Sequence, residues 1–265
     1  MNNASAPVSI VTISFNQSAF LEECLLSVLS QQAGDVEYIV VDPGSTDGSR
    51  DILAKFRERI DKLVLDPDQG PADGLNKGFA VATGDIFGYI NADDRMAPGA
   101  AGHVRRFFVS NPDVDVLCGA IRIIDRDGQA FLRGRTSDKF DLARYAAGIC
   151  TIGQQATFFR RRAFERAGGF NPSNRIAWDG ELLVDMALAG ARFASIGNVL
   201  GDFRIYPESI TGSNRHREHA LREHERIAGK MQSHGIALYA PLRRNLQRAL
   251  YKANLVRHLG YLRAR

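Results

Sequence analysis

Cysteine is scarce in this sequence of 265 residues, and Cys24, Cys118 and Cys150 lie far apart in it. They form no CxxC pair and no cysteine–histidine cluster, which argues against a disulfide framework or a zinc site and favours a reducing compartment. No apolar run approaches the roughly 18 residues that a membrane-spanning helix needs. The first residues lack a basic stretch followed by an apolar one, so we predict no signal peptide. These absences predict a soluble or peripheral protein of the cytoplasm.

Glycine-rich phosphate-binding loops are also missing. After the first predicted strand the chain reads SFNQS at 14–18, without the GxGxxG of a nicotinamide-dependent oxidoreductase, and no P-loop pattern GxxxxGK[ST] occurs. The 34 basic and 30 acidic side chains leave a net charge of +4, a mild attraction for anions that selects no class of partner. Because no aromatic residues alternate with the basic ones, we predict no nucleic-acid partner.

The first half of the chain alternates predicted strands with predicted helices. Short apolar runs predict four strands, at 8–13, 36–41, 62–65 and 85–90. The segments between them predict helices, and Ser18 is expected to cap the first one. This order is typical of a parallel sheet built from right-handed βαβ units, in which ligands bind beyond the carboxyl ends of the strands. Polar loops begin at that edge at Ser14, Asp42, Asp68 and Asn91, and together they predict a binding site.

After residue 112 the alternation gives way to a mixed pattern. Residues 114–124 predict a strand, Asp127-Gly128 predicts a hairpin turn, and 130–132 predict the returning strand. Later segments predict a strand at 153–159, a helix at 176–189 and two strands at 192–196 and 199–206. No internal repeat and no low-complexity linker separates the two halves, so we expect one continuous fold.

Two adjacent carboxylates, Asp93 and Asp94, follow a buried predicted strand. Neighbouring carboxylates in such a place are costly unless positive charge lies beside them. A hydrated divalent cation that carries phosphate oxygens is the usual source of that charge, since hard cations bind carboxylate oxygens and leave positions for a substrate. Asp-Asp pairs also occur in ordinary polar loops, so the pair alone leaves both interpretations open.

Several motifs occur in order along the chain: VSIVTISFN at 8–16, VDPGSTDG at 41–48, NADD at 91–94, GQQATFF at 153–159 and WDGEL at 178–182. In this order they resemble the inverting family 2 glycosyltransferases of the GT-A fold, over about residues 7–212. DQGPADGLNKG at 68–78, with ATGD at 82–85, resembles a subgroup that builds bacterial surface polysaccharides.

The resemblance implies an α/β fold of three parts. Residues 1–112 would form the nucleotide-sugar-binding half, with a Rossmann-like, mostly parallel sheet. Residues 113–212 would form the mixed, acceptor-binding half of the same GT-A domain, and 213–265 a basic helical extension at the C-terminus.

The extension itself allows two interpretations. From Met231 to the end, the chain contains seven Lys or Arg residues and no Asp or Glu. Three leucines recur at helical spacing with three basic residues between them: Leu242, Leu246 and Leu250 with Arg244, Arg248 and Lys252. We favour a helix packed on the domain with its basic face in solvent. The other interpretation is an interfacial helix that binds anionic lipid at the cytoplasmic face of the membrane.

For the donor site, the resemblance assigns Asp94 to a divalent metal, Mn²⁺ or Mg²⁺, and Asp93 to the ribose or to the same metal. Such a metal bridges the phosphates of a nucleotide-diphosphate sugar and stabilises the leaving group. Asn91 stands where many members carry the first Asp of a DxD motif, which lowers the charge of the site. The other donor contacts implied by the resemblance are Thr12, Ser14, Asn16, Asp42, Asp68, Lys77 and Arg204.

Two departures from the family pattern limit these assignments. Pro43 replaces an Asp that reads uracil in many relatives, so the nucleobase stays open. Tyr206 replaces a His in a late segment, with Arg204 and Ser209, that closes over the diphosphate in relatives. This replacement argues against a metal ligand from that segment.

For the acceptor site, the resemblance implies that Asp179 is the general base that removes the proton of the attacking hydroxyl. A helix N-terminus would stabilise its ionised form, although Asp is also a common helix cap. Glu181 is the second candidate, but it lies roughly 200° around the helix. Trp178 is expected either to form an apolar wall for a sugar or to belong to the core.

Together these features predict an inverting glycosyltransferase that moves a sugar from a nucleotide-diphosphate sugar to a glycan or lipid-linked glycan acceptor. Two alternatives share the fold class. One is a catalytically degenerate protein that still binds a nucleotide or a sugar. The other is a sugar-phosphate nucleotidyltransferase, which is disfavoured because the glycine-rich first loop with an Arg is missing.

Overall fold

The computed structural model describes residues 7–31, 36–209, 217–240 and 242–251. In these residues the chain forms one mixed sheet of nine strands with helices on both faces. The strands are β1 (Val8–Ile13), β2 (Val36–Val41), β3 (Lys62–Val64), β4 (Ile86–Asn91), β5 (Arg95–Met96), β6 (Val116–Ile124), β7 (Ala130–Thr136), β8 (Thr157–Arg160) and β9 (Phe193–Arg204). The helices are α1 (Ser18–Leu29), α2 (Ser49–Lys55), α3 (Pro71–Val81), α4 (Ala100–Ser110), α5 (Leu142–Ala146), α6 (Arg161–Ala167), α7 (Trp178–Leu188) and α8 (Arg217–Ser233), with α9 at 242–251. Single 3-10 turns lie at Arg57–Arg59 and Gln154–Ala156.

The strands of the first half form the parallel part of the sheet. β1 lies between β2 and β4, and β3 pairs with β2. In this register Ile13 lies opposite Val41 on one side and Asn91 on the other, so three adjacent strands end level. The loops that follow them therefore begin side by side at the edge where such sheets bind ligands.

The sheet continues into the second half in the order β3-β2-β1-β4-β8-β6-β9-β5, and β7 pairs with β6 outside this row. β8 runs antiparallel to β4 and β6, whereas β9 runs parallel to β6. The short β5 pairs with the end of β9, with Arg95 opposite Asp202. The mixed second half is thus fused to the parallel half through one continuous sheet, as predicted.

Apolar side chains cover both faces of the sheet. Leu21 of α1 and Phe108 of α4 are buried on one face. On the other face, α3, α6 and α7 pack over the strands, and the rings of Phe79 and Phe87 stack with centroids 4.6 Å apart. Each such side chain contributes about 1.5–3 kcal/mol by its burial. Helices cover the faces, whereas the polar loops lie at the strand ends.

The prediction that Ser18 caps α1 is wrong. Ser18 is the first residue of the helix, and Gln17 occupies the N-cap position before it. The Gln17 side chain makes no capping hydrogen bond. Instead, the Ser18 amide donates to Asp47 Oδ2 (2.8 Å) and the Gln17 amide donates to Ser49 Oγ (3.1 Å). The loop after β2 thus satisfies amides that a local cap would otherwise satisfy.

The two late strands predicted at 192–196 and 199–206 are one strand, β9. Its pairing with β6 shifts register, since Cys118 lies opposite Ser195 while Ala120 lies opposite Val199. The extra residues of β9 form an irregularity that the strand absorbs without ending. Gly119 of β6 lies at this point, where a Cβ atom would be 2.5 Å from the Leu200 side chain.

The C-terminal helices contact the domain in different ways. α8 buries Ile227 and Met231 against Ala177 and Val184. In α9 the exposed fractions of Leu242, Leu246 and Leu250 are 85%, 60% and 53%. The side of α9 that contacts the body does so through polar groups, because Arg248 Nε donates to the Ala147 carbonyl (2.6 Å) and the Tyr251 hydroxyl donates to Asp138 Oδ2 (2.6 Å). In its described part the helix therefore contacts the domain, as we favoured. The expectation that its basic face lies in solvent is wrong for Arg248, which makes the contact while the leucines are exposed.

None of the helices in the described ranges is both long and apolar enough to cross a bilayer.

Candidate active site

A cavity of about 880 Å³ opens at the carboxyl ends of the parallel strands. The loops after β1, β2, β3 and β4 line it on one side. The end of β9 and the loop before α7 line it on the other. The lining includes Ser14, Pro43, Asp68, Gly70, Asn91, Asp93, Asp94, Arg175, Trp178, Arg204, Tyr206 and Ser209. All four loops that the sequence placed at this edge contribute to the cavity.

The two adjacent carboxylates have different surroundings in this cavity. Asp94 is only 2% exposed. Its Oδ1 accepts a hydrogen bond from the Arg204 amide and its Oδ2 accepts one from Gln155 Nε2, each 2.8 Å long. Asp93 is partly exposed, and its Oδ2 accepts a hydrogen bond from the Tyr206 hydroxyl (3.0 Å). Asp94 is therefore fixed by the second half of the chain, and Asp93 is the more accessible of the two.

Burial raises the pKa of both carboxyls, and the charge of Asp93 raises the pKa of Asp94 further, to well above its ordinary value. Each carboxylate therefore disfavours ionisation of the other unless a cation lies beside them. Two carboxylates and the nearby buried amide oxygen of Asn91 offer the hard oxygen donors that Mn²⁺ and Mg²⁺ prefer. The described residues contain no group of three or more His, Cys, Asp or Glu side chains able to hold a metal. A cation held here would therefore keep positions for water or phosphate oxygens.

Three buried side-chain atoms at the strand ends have no hydrogen-bond partner in the described structure. They are Ser14 Oγ, Asp42 Oδ2 and Asn91 Oδ1. Ser14 follows β1, Asp42 follows β2, and Asn91 is the last residue of β4. These three strands are adjacent in the sheet. Because buried polar atoms are normally hydrogen-bonded, a row of unpartnered ones indicates a place where a ligand supplies the missing partners.

Several of the predicted donor residues support the cavity walls rather than line the cavity. Thr12 Oγ1 shares a hydrogen bond with the buried Tyr38 hydroxyl (2.9 Å). Asn16 Oδ1 accepts from the Thr46 amide (2.9 Å), which ties the loops after β1 and β2 together. Lys77 Nζ donates to the Pro67 carbonyl and lies 3.2 Å from Asp73 Oδ2.

Asp42 and Asp68 cap the loops that they begin. Asp42 is fully buried, and its Oδ1 accepts from the Gly44 and Ser45 amides (3.0 and 2.8 Å). Asp68 lines the cavity, and its Oδ1 accepts from the Gly70 amide (2.8 Å). Burial raises the pKa of Asp68, although that amide and nearby cations oppose the shift.

Arg204 lies at the cavity with its guanidinium bonded to the protein. The side chain is 1% exposed and pairs with Glu23, Nη2 to Oε2, at 2.5 Å. Nε donates to the Asp93 carbonyl (2.7 Å), and Nη1 donates to the carbonyls of Asp125 (3.1 Å) and Arg126 (2.7 Å). Four of its five N–H donors thus bind protein acceptors, which fixes the turn that carries Asp93 and Asp94.

Asp179 lies outside this cavity. It is the second residue of α7, and it lines a separate cavity of about 40 Å³ together with Tyr89, Tyr145 and Gln154. Burial raises the pKa of its carboxyl, although the amide of Gly180 opposes the shift. The helix N-terminus therefore acts as predicted, but desolvation outweighs it.

Glu181 lines neither cavity. Its buried carboxylate lies 2.5 Å from Arg226 and 2.7 Å from Lys230 of α8, and Asn171 and Asn174 also donate to it. Burial opposes its ionisation, but these donors outweigh burial and lower the pKa to about 2. Glu181 therefore anchors α8 to α7, on a different side of the helix from Asp179.

The sequence also matches a known protein family. A model of the family described as Glycosyl transferase family 2 matches residues 9–168, more than half of the chain. The chain belongs to glycosyl transferase family 2. An uncharacterized glycosyltransferase of Mycobacterium tuberculosis is 31% identical over 219 residues, which cover 81% of this chain and 79% of that relative. Another, from Nostoc sp., is 27% identical over 232 residues, with 83% and 70% covered. The protein is a glycosyltransferase, as predicted.

Solved structures share the fold at low sequence identity. S. aureus TarS gives a TM-score of 0.65 at 19% identity and covers 92% of this chain. The mannosyltransferase PcManGT from Pyrobaculum calidifontis, in complex with GDP-Man and Mn²⁺, gives 0.65 at 20% identity, with 94% of this chain and 70% of that chain covered. This glycosyltransferase spans only 42% of the TarS chain, and the similarity is one of fold. It confirms the predicted GT-A architecture.

Three residues of this glycosyltransferase site escaped the sequence analysis as individual contributors. Gln155 binds Asp94. Gln154 Oε1 accepts from Asn91 Nδ2 (3.3 Å), and this hydrogen bond connects the two cavities, since Asn91 lines the larger and Gln154 the smaller. Arg175 lines the larger cavity from the loop before α7. The GQQ start of the 153–159 motif was a signal for the two glutamines, whereas Arg175 had none.

Proposed function

We propose that this glycosyltransferase inverts the anomeric carbon as it moves a sugar from a nucleoside-diphosphate sugar to a glycan or lipid-linked glycan. The observation that carries the proposal is the meeting of a carboxylate pair and three unpartnered buried polar atoms at one edge of the sheet. The cavity there, about 880 Å³, is within the usual size of a small-molecule site. The transferred sugar and its nucleotide would bind in it.

The unpartnered atoms suit the nucleoside part of the donor. Asp42 Oδ2 and Asn91 Oδ1 can only accept, and Ser14 Oγ can donate or accept. A nucleobase N–H and ribose hydroxyls supply the donors that two acceptors need. TarS has been solved with UDP-GlcNAc and PcManGT with GDP-Man, which supports a nucleotide-sugar donor and leaves uridine and guanosine as the two bases to compare.

Asp93 and Asp94 are the residues that would hold Mn²⁺ or Mg²⁺ in this chain. A divalent metal bound there supplies positive charge to the departing diphosphate. The chain's own contribution is to fix the two carboxylates, through Arg204 and Gln155 on Asp94 and through Tyr206 on Asp93. The Mn²⁺ complex of PcManGT supports this assignment.

Asp179 is the proposed base. The acceptor hydroxyl forms a new C1–O bond on the face opposite the nucleotide, the C1–O bond to the diphosphate breaks, and the hydroxyl proton passes to the Asp179 carboxylate. A raised pKa makes this carboxylate a stronger base than an exposed Asp, because proton transfer is favoured when the pKa of the base approaches the working pH. Glu181, bound by two cations and two amides, is unsuited to that role.

A peripheral membrane contact through α9, in a cytoplasmic protein, is part of the same proposal. The exposed leucines of α9 lie in a stretch with seven Lys or Arg residues and no acidic residue from Met231 onward. Such a helix binds anionic lipid through apolar burial and charge. This contact would bring the protein to the membrane face that carries a lipid-linked acceptor.

The first test is a thermal-shift comparison of UDP, GDP, dTDP and CDP, each with Mn²⁺, Mg²⁺ or EDTA. A ligand that binds only the native state raises its stability, so one nucleotide should raise the Tm in a metal-dependent manner. Asp94→Ala should abolish that rise, while Asp113→Asn, an exposed acid outside the cavity, should keep it. No response to any nucleotide would overturn the proposed donor. A response without sugar transfer would instead support the degenerate alternative.

A further inference from the structure

The lining of the larger cavity has more acidic than basic side chains. Asp68, Asp93, Asp94 and Glu208 contribute carboxyls, and the basic residues in the lining are Arg175 and Arg204. A phosphate group that enters such a cavity meets an unfavourable field unless cations offset it. A metal on Asp93 and Asp94 would offset part of that field. The remaining positive charge would have to come from Arg175 or Arg204.

Arg204 is poorly placed to meet a ligand. Its charge is paired with Glu23, and its side chain is 1% exposed. Four of its N–H donors already bind protein acceptors, so a phosphate would have to displace a carbonyl of the turn that Arg204 holds. Its position indicates that it fixes the carboxylate pair rather than binds the substrate.

Arg175 is in the opposite situation. It is exposed and lines the cavity. Within the described part of the chain, no carboxylate oxygen lies within 4.0 Å of its guanidinium. Asp68 and Asp73 are near enough for the charge of Arg175 to stabilise their ionised forms.

The backbone on both sides of Arg175 is fixed. Asn174 Oδ1 accepts from the amides of Ile176 (3.1 Å) and Ala177 (2.8 Å), and Asn174 itself donates to the buried Glu181. The guanidinium lies over Gly70, where a Cβ atom would be 2.9 Å from Nη1. Gly70 also has φ of +121°, a conformation that other residues rarely adopt. The chain therefore leaves room for Arg175 at the loop that begins α3.

From this contrast we propose that Arg175 binds a phosphate group of a substrate. A guanidinium with unused donors is well suited to a phosphate, which it can bind through two parallel hydrogen bonds. The phosphate is either that of the nucleoside diphosphate or that of a lipid-phosphate-linked acceptor. The inference rests on the proposed function, since it names a further contact of the same cavity.

The test measures binding of Mn²⁺–UDP and Mn²⁺–GDP to the full chain by titration calorimetry. For the nucleotide that the wild type binds, Arg175→Ala should weaken binding about tenfold. Arg175→Lys should recover part of the loss because it keeps the charge. Arg222→Ala, which removes an exposed arginine of α8 outside the cavity lining, should bind as the wild type does. Circular dichroism checks that each variant is folded.

The second arm separates the two sources of phosphate. If Arg175→Ala binds the nucleotide normally, the KM for a lipid-phosphate-linked sugar should rise about tenfold, with no rise for the same sugar on an uncharged aglycone. A variant that matches the wild type in both arms would overturn the role of Arg175 and leave the proposed function intact. A wild type that binds no nucleoside diphosphate, either in this titration or in the thermal-shift comparison of UDP, GDP, dTDP and CDP, would overturn the proposed function, and the inference with it.

Discussion

The two cavities described at the candidate site are built in different ways. The larger one, about 880 Å³, lies at the ends of parallel strands and has unpartnered polar atoms in its wall. The smaller one, about 40 Å³, lies between α7 and the segment around Tyr145, with Tyr89 and Gln154 beside Asp179. The first is open and ready for a large polar ligand. The second has room for only a few water molecules.

This difference suggests that the two halves of the domain have different roles in the reaction. In the proposed function, the larger cavity at the sheet edge is a preformed site for the donor. If Asp179 is the base, the acceptor hydroxyl must reach it in the small cavity, whose lining includes Tyr145 and Gln154. Tyr145 packs against Gly180, where a Cβ atom would fall 1.8 Å from its hydroxyl. If Asp179 is the base, the small cavity would have to widen before a sugar could enter it, because about 40 Å³ holds only a few water molecules.

The largest effect is expected from Asp179→Asn, which changes the small cavity alone. Loss of a general base lowers the rate by about 10²- to 10⁴-fold. Nucleotide binding should stay as in the wild type because Asp179 does not line the larger cavity. Single-turnover rates and calorimetry measure the two quantities, with Asp113→Asn as control. If the variant transferred sugar at the wild-type rate, Asp179 would not be the base. If the variant lost nucleotide binding, the two cavities would not have separate roles.

The next effect concerns the wall of the larger cavity. Arg204→Met removes one of the two arginines that pair with Glu23 and takes the Arg204 donors from the Asp93 and Arg126 carbonyls, which should lower the free energy of unfolding by about 3 kcal/mol. Urea denaturation measures this loss. Arg50→Met is the control, since Arg50 is 44% exposed in its ion pair with Asp42, and such pairs contribute about 1 kcal/mol or less. Equal losses for both variants would contradict the special role of Arg204.

A smaller effect is expected behind the small cavity, at Glu181. Its folded pKa is about 2, below the ordinary value of 4.5. Its contribution to stability is therefore complete above about pH 4.5 and is lost as the pH falls toward 2. Glu181→Gln should cost about 2 kcal/mol at pH 7, and the gap to the wild type should narrow by pH 3. Urea denaturation at both values tests this, with the exposed Glu58→Gln as control; a gap that is constant with pH would refute it.

The smallest effect should leave both cavities unchanged. Leu246→Glu on α9 should lower binding to vesicles of anionic phospholipid several-fold, while stability changes by no more than about 0.5 kcal/mol. Val109→Glu is a matched control, because Val109 of α4 is a similarly exposed apolar residue at 56%. Co-sedimentation measures the binding. Identical sedimentation of wild type and both variants would remove the membrane contact from the proposal.

The sequence was sufficient for features that depend on local pattern. The strand ends at Ile13 and Val41 could be predicted from apolar runs, and the end of β4 at Asn91 was predicted to within one residue; a parallel sheet then places their loops together. The carboxylate pair Asp93-Asp94 was visible in the same way, and the structure places both at the cavity. Whether they bind a metal stays a prediction.

Features that depend on distant packing could not be predicted. The partners of Asp94 come from Gln155 and Arg204, which are near it only because β8 and β9 join the same sheet. The cap of α1 comes from Asp47, 29 residues away. The orientation of α9 depends on Arg248 and Tyr251 contacting the body, and helical spacing alone cannot choose that side.

The short pairing of β5 with β9 has a consequence for how the protein folds. The hydrogen bond between Asp94 and Arg204 spans 110 residues of chain, and the Arg95–Asp202 register spans almost as many. Contacts at such separation form slowly, because a long loop must close first. The turn that carries the carboxylate pair should therefore gain its final shape late in folding. A ribosome that has released only residues 1–112 would hold a nascent sheet whose larger cavity is still incomplete.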